Sequence, residues 1–398
     1  MDNTTAHRRG SAGEILAILR DGQARTRREL AVLTGQARTT VGQRLTVLAD
    51  AGLVRESDEA TATRGRPSAA FEFDADGKLV LAIDLGANHV SYGVTNLHGD
   101  VLASRTAAVR VGVGPEVVMR LVFTGVDELL SDPAFADHEL LAVGMGVPGP
   151  VDQDSGRPTS PPIMPGWDGY DVRRALSDRY GCPAFVDNDA NVLALGERSF
   201  AWPEVTDLMY VKVATGIGAG IVSGGRLLHG AQGAAGDLGH VHCAAAGDRA
   251  CRCGNRGCLE SLAGGMSIAT TLTAQGVPAN SPSDIVALVR AGNLEAVHAL
   301  REAGRALGDV LAACTALLNP RVIAIGGEIV DVGEPLLAGV RESVYSRALP
   351  LASRDLRVVV ARSGPLGGVI GAARKALDEV FSPEFLEAAL EREPAAAG

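Results

Sequence analysis

Through the first part of the chain, apolar residues recur at the three- and four-residue spacing of amphipathic helices. Ile15, Leu16, Ile18 and Leu19 give a first helix one apolar face, and Gly22 stops it. Thr26 is placed to cap a second helix, RRELAVLT, which ends at Gly35. A third starts near Arg38 and keeps Val41, Leu45 and Leu48 on one side. Two helices joined by a short turn must approach closely, and small Ala31, turn-forming Gly35 and apolar Val41 suit that approach. Leu53, Val54 and Phe71 to Phe73 read as two strands around the polar loop ESDEATATRGRPSA. Residues 1–75 therefore predict a winged helix-turn-helix.

From Leu79 the pattern changes. LVLAIDLG, HVSYGVTNL and DVLASRTAAV are strand-like runs separated by turns, followed by a helical PEVVMRLVFTGVDELL and a buried strand, LLAVGMGVPG. A helix, YDVRRALSDRYG, leads to strand PAFVDND and helix ANVLALGERSF. The opening then recurs as LMYVKVATGIGAGIVSGGRLL, again a strand, a glycine-rich turn and a returning strand. Such recurrence predicts a duplicated α/β fold with a cleft between halves. Lobe 1 spans 76–200 and is completed by the helix at about 364–380; lobe 2 spans 201–363. Residues 381–398 read as a short amphipathic helix and a Pro-Ala tail.

Length agrees with this division, since 398 residues exceed one ordinary core. No apolar run approaches the ~18 to 20 residues of a membrane span, and the N-terminus lacks a signal-peptide pattern, so a cytoplasmic protein with no membrane partner is expected. Charge is uneven: of a net −10, residues 1–70 carry +3 and the rest −13. A basic head on an acidic body suits an anionic partner at the head. Arg38, Thr39, Thr40, Gln43 and Arg44 face outward on the third helix, groups able to bond base edges and phosphates in a major groove. The bland alternative is a solvated helix face. Arg64 and Arg66, at the tip of the predicted wing, suit a minor groove or phosphate run, while Glu56, Asp58 and Glu59 confine contact to that tip.

The densest chemistry lies in GDLGHVHCAAAGDRACRCGNRGCLE, residues 236–260. Zinc in structural sites takes four Cys or His ligands in a tetrahedron, and Gly254 and Gly257 let the backbone double back so that Cys251, Cys253 and Cys258 reach one ion. His240 is the best fourth ligand, with His242 and Cys243 as rivals. The competing reading, free thiols or a disulfide, is disfavoured because Cys251 and Cys253 are too close to bridge easily.

This run resembles the zinc signature of the ROK family (repressor, open reading frame, kinase), in which Gly-His precedes Cys-x-Cys-Gly-x-x-Gly-Cys-x-Glu. The resemblance implies an actin-like (ribonuclease H-like) duplicated sugar-kinase fold, with His240 and Glu260 beside the sugar and one structural zinc per chain. VDNDAN resembles the family's Asn-Asp-Ala-Asn motif, placing Asn188, Asp189 and Asn191 at the carboxyl end of a strand; alone, it also fits an Asx-turn and helix cap. Gly149 of GVPGPVD and Asp237 complete the sugar set. Trp167 is a lid or a packing residue of its own loop. The turn Asp84-Leu85-Gly86-Ala87-Asn88 stands where the family's kinases have Asp-x-Gly-Gly-Thr for ATP phosphates, with Ala87 and Asn88 departing from the pattern. A nucleotide with magnesium would use Asp84, Gly86, Thr215, Gly216, Gly218, Gly326 and Gly327. With the head, the resemblance points to the repressor branch, of the N-acetylglucosamine and xylose type: a homodimer or homotetramer that binds double-stranded operator DNA and answers to a sugar. The alternative is a sugar kinase with Asp189 as base.

Overall fold

The computed structural model describes residues 11–57, 69–332 and 334–392. Arg64 and Arg66, with Asp58 and Glu59, lie outside the described residues. In the head, the Ser11 hydroxyl accepts the Glu14 amide and starts helix α1 (Ala12–Leu19). Strand β1 (Arg25–Thr26) leads into α2 (Arg27–Thr34), where Thr26 Oγ1 accepts the Glu29 amide and Glu29 Oε2 accepts the Thr26 amide, a reciprocal cap that fixes where this helix begins. The left-handed Gly35 (φ 69°) turns the chain into α3 (Arg38–Asp50). Strands β2 (Val54–Glu56) and β3 (Ala70–Phe73) pair antiparallel, and β1 adds to the other edge of β3.

Lobe 1 opens with an antiparallel meander, β4 (Lys78–Leu85), β5 (His89–Thr95) and β6 (Val101–Ala108). After helix α4 (Pro115–Leu130), β7 (Glu139–Val147) joins parallel to β4. The small hairpin β8 (Val151–Asp152) and β9 (Arg157–Pro158) and helix α5 (Val172–Tyr180) precede β10 (Ala184–Asn188), which joins parallel to β7. Helix α6 (Asp189–Ala201) then crosses to lobe 2.

Lobe 2 repeats the plan. Strands β11 (Leu208–Val213), β12 (Ile217–Ser223) and β13 (Arg226–Leu227) form the meander. Helices α7 (Glu260–Ala263), α8 (Gly265–Ala274), α9 (Pro282–Arg290) and α10 (Leu294–Leu318) precede β14 (Val322–Gly326), parallel to β11. Helices α11 (Glu334–Arg347) and α12 (Pro350–Ser353) precede β15 (Arg357–Val360), parallel to β14. The two sheets, β10-β7-β4-β5-β6 and β15-β14-β11-β12-β13, share order and strand sense. That is the duplicated actin-like fold.

Helix α13 (Gly367–Val380) returns to lobe 1 and crosses α6 with backbones touching: a Cβ on Gly371 would fall 1.8 Å from the Val192 carbonyl oxygen. Helix α14 (Pro383–Arg392) follows. The C-terminal stretch expected only as a short helix and tail is a structural buttress. One apolar cluster runs unbroken from Leu16, Leu19, Leu45 and Leu48 through Phe71 and Phe73 to Val80 and Ala142 of lobe 1 and Leu377 and Leu386 of α13 and α14. The Arg20 guanidinium lies 4.5 Å over the Phe381 ring, at the corner between those two helices. The head thus shares a core with lobe 1.

Candidate functional site

Strand β10 and helix α6 meet at the carboxyl edge of the lobe 1 sheet, which places Asn188 and Asp189 at the cleft. Asn188 caps α6: its Oδ1 accepts the Ala190 amide at 2.9 Å while its Nδ2 donates to the Gly149 carbonyl at 2.8 Å. Its side chain therefore holds the Gly149 turn in place. Asp189, only 6% exposed, puts Oδ2 2.5 Å from Lys212 Nζ. Lys212 belongs to β11, so the pair joins the lobes. The sequence reading missed Lys212; the signal was a charged residue between Val211 and Val213 in an otherwise apolar strand.

Asp84, at the end of β4, feels the same pair. Burial pushes its carboxyl up to about 6, Lys212 pulls it back and Asp189 adds to the rise. Burial opposes the charge on Lys212, but Asp189 and Asp84 outweigh it and hold the ammonium above its ordinary value. In the next turn the Gly86 amide is taken by the His89 carbonyl at 2.8 Å. A Cβ on Gly86 would meet the His89 ring at 2.5 Å, so the imidazole lies across this turn.

In lobe 2, Glu260 Oε2 accepts the Ile217 amide at 2.9 Å, and a Cβ on Gly216 would fall 2.3 Å from the same oxygen. Glu260 thereby braces the turn from Thr215 to Gly218, and the missing side chain of Gly216 makes room for it. Gly239 packs on Ile217 and Glu260, which brings His240 to the start of β12, while Gly218 lies against Ala190 of α6. Asp189, Glu260 and His240 are thus gathered around β12. Asp237 is half-exposed, with Oδ1 3.9 Å from His240 Nε2. Gly326 and Gly327 end β14 against Tyr210 and Val213.

Of the two readings of Trp167, the structure bears out packing: it is fully buried, and its indole donates to the Val111 carbonyl at 3.1 Å within lobe 1. Asn191 donates to Asp187 Oδ1 at 2.8 Å. Asp187 itself went unremarked in the sequence, yet it is fully buried and lies 2.7 Å from His229 Nε2 and 3.3 Å from Lys375 Nζ.

The cysteine loop closes as its spacing predicts. His240 Nδ1 lies 3.6 Å from Cys251 Sγ, Cys253 Sγ lies 3.7 Å from Cys258 Sγ, and the four ligand atoms are within 4.8 Å of one another. Bonds of about 2.3 Å to sulfur and 2.0–2.1 Å to nitrogen put tetrahedral ligands about 3.6–3.8 Å apart, so the cluster could hold one metal ion. The rivals fall away: Cys243 is buried in the lobe 2 core, and His242 is exposed. Cys258 lies two residues before Glu260, so the loop that gathers the thiols also places the acid.

On α3, Arg38, Thr39, Gln43 and Arg44 are exposed and Thr40 is half-buried, opposite the buried Val41, Leu45 and Leu48.

A sequence model described as the ROK family matches residues 80–379. The chain belongs to the ROK family. The ROK match begins in β4 and ends in α13, taking in both lobes. The xylose repressor of Caldicellulosiruptor bescii is 28% identical over 93% of this chain and 96% of its own length. A crystal structure described as a ROK family transcriptional regulator, homolog of the E. coli MLC protein, superposes with a TM-score of 0.81 at 26% identity, covering 96% of this chain and 98% of that one. A ROK family glucokinase from Streptomyces griseus, in complex with glucose and AMPPNP, gives 0.65 at 27% identity, covering 75% of this chain and 99% of that one. The kinase is thus matched almost whole by three-quarters of this chain, whereas the ROK regulator is matched through the head as well.

Proposed function

We propose that this ROK protein is a sugar-responsive transcriptional regulator, in which the head is a winged helix-turn-helix and the cleft is the sensor. The observation that carries the reading is the shared core: α3 leaves its polar face bare while its apolar face is continuous with lobe 1, α13 and α14. Arg38, Thr39, Thr40, Gln43 and Arg44 would read the major groove, with Arg64 and Arg66 on the adjoining backbone or minor groove. One head offers few base contacts, so a homodimer or homotetramer on a two-fold site is expected, acting in the cytoplasm where its DNA lies. The likeness to a regulator over nearly the whole chain supports this reading.

The sugar would sit between Asp189 of lobe 1 and His240, Asp237 and Glu260 of lobe 2, above the Gly149 turn. A ligand held by both lobes favours one closure over others, and a head built into lobe 1 follows that closure. One zinc per chain would be held by His240, Cys251, Cys253 and Cys258; the tetrahedral spacing supports it, and Asp237 near the second ring nitrogen of His240 would orient the imidazole. A second reading, a sugar kinase with Asp189 as base, draws on the two retained acids and on the glucokinase likeness. Binding-site selection from random duplex DNA with the purified full chain tests the proposal. Paired half-sites related by two-fold symmetry are expected; no enrichment of any sequence would contradict it.

A further inference from the structure

The kinases that share this fold bring a nucleotide and a divalent metal to the cleft, and the residues here do not fit that pair. Asp84 and Asp189 supply two buried carboxylates from lobe 1, one ending β4 and the other starting α6. The ammonium of Lys212 comes from lobe 2, 2.5 Å from Asp189 Oδ2, with its side chain 19% exposed and that of Asp189 9%, and its charge is also felt at Asp84. Asp84 is walled in from behind: a Cβ on Gly368, at the start of α13, would fall 2.0 Å from its Oδ2. On the open side the His89 ring covers Gly86, whose amide is already bonded within the hairpin. A phosphate cradle needs free amides and uncovered backbone, and at Gly86 the amide is taken and the backbone covered.

We infer that Lys212 is a tethered cation standing in the metal position of the cleft, so that Asp84 and Asp189 serve an uncharged sugar without divalent metal or nucleotide. The physical reason is charge balance. Two carboxylates close together in a buried site repel unless a cation lies between them. A kinase recruits that cation with each nucleotide; here β11 carries it permanently. A divalent ion entering the same space would meet an ammonium it cannot displace, since the lysine is anchored in the central strand of lobe 2. Because the cation comes from the opposite lobe, it also ties the cleft together without ligand, which leaves Asp189 as a fixed acceptor for a sugar hydroxyl.

This inference rests on the sensor reading, and its test is separate from that reading because it reads metal rather than sugar or DNA. Titrate Mn²⁺ alone, and Mg²⁺ with ATP, into the full zinc-loaded chain and into Lys212→Met and Lys212→Gln variants, following free Mn²⁺ by electron paramagnetic resonance and folding by circular dichroism. The wild type should show no Mn²⁺ site that depends on Asp189, judged against Asp189→Asn. A folded Lys212 variant should gain one such site, at least about tenfold tighter than any wild-type binding, and lose it again when Asp189→Asn is added. An Asp189-dependent Mn²⁺ or Mg²⁺-ATP site in the wild type overturns the inference, as does a folded Lys212 variant that gains nothing. If neither variant folds, the wild-type comparison with Asp189→Asn still decides. Operator binding by the same wild-type preparation reports on the regulator reading independently.

Discussion

His229 of lobe 2 places its Nε2 2.7 Å from the carboxylate of Asp187 in lobe 1, a second interlobe contact two residues away from the Asp189 to Lys212 pair. Behind it the carboxylate meets Lys375 of α13, 3.3 Å away, and Lys375 continues to Glu379, 2.9 Å away. Next along α13 comes the Phe381 corner on which Arg20 of the head rests. A chain of contacts therefore joins the cleft to the head, through residues that touch neither sugar nor DNA in the proposed scheme.

Asp187 should be costly to neutralise. Burial alone would push its carboxyl up, but the bond to His229, the charges of Lys375 and His229 and the bond from Asn191 outweigh burial and hold it at about 2. A carboxyl lowered from about 4 stabilises the fold above that pH, and the contribution is lost as pH falls from about 4 toward 2. Asp187→Asn, which leaves Lys375 buried with a weaker partner, should cost about 3–5 kcal/mol near neutrality. Urea unfolding of both proteins checks this. The gap between them should narrow below pH 4, and a constant gap would contradict the role assigned to the carboxylate.

The thiol loop should make the metal part of the fold. Cys253→Ser is expected to lower the melting temperature and to weaken any sugar response, because Glu260 follows Cys258 so closely. Elemental analysis of the freshly purified chain should give about one zinc per chain; a folded protein free of zinc would rule the assignment out.

Neighbouring residues of α3 should behave oppositely. Leu45 is buried in the shared core, so Leu45→Ala should cost about 2–5 kcal/mol of stability. Arg44 is exposed, so Arg44→Ala should change stability by no more than about 0.5 kcal/mol yet weaken specific DNA binding by about 1–3 kcal/mol. Thermal melts beside fluorescence anisotropy on a selected site separate the two effects.

Helix α14 should matter to the head. Leu386 is buried against it, and Leu386→Ala should cost about 2–5 kcal/mol while loosening α1. Hydrogen exchange over residues 12–19 should quicken in the variant; unchanged protection would mean that the head stands without this buttress.

What the sequence disclosed was local. Repeated strand-turn-strand runs disclosed the duplicated sheets, the cysteine spacing disclosed the clustered thiols, and the apolar rows of α1 to α3 disclosed the three helices of the head. What it hid were pairings across long separations. Lys212 read as one more strand residue because nothing near it in sequence shows that Asp189 waits in the other lobe. Asp187, His229 and Lys375 come from three distant segments, and the place of α14 depends on a head that lies at the opposite end of the chain. Trp167 stayed open between lid and packing residue for a related reason: a Pro- and Gly-rich loop gives no sign that the Val111 carbonyl will accept its indole.

The most direct test of the regulator account is operator affinity measured with and without the cognate sugar, at fixed salt, for the wild type and Asp189→Asn. A panel of monosaccharides screened by thermal shift first supplies the sugar. The account predicts that this sugar changes wild-type operator affinity by about 5- to 150-fold, a coupling of about 1–3 kcal/mol. Asp189→Asn, lacking the charged acceptor, should lose most of the response. A sugar that binds the protein yet leaves wild-type operator affinity unchanged would contradict the account.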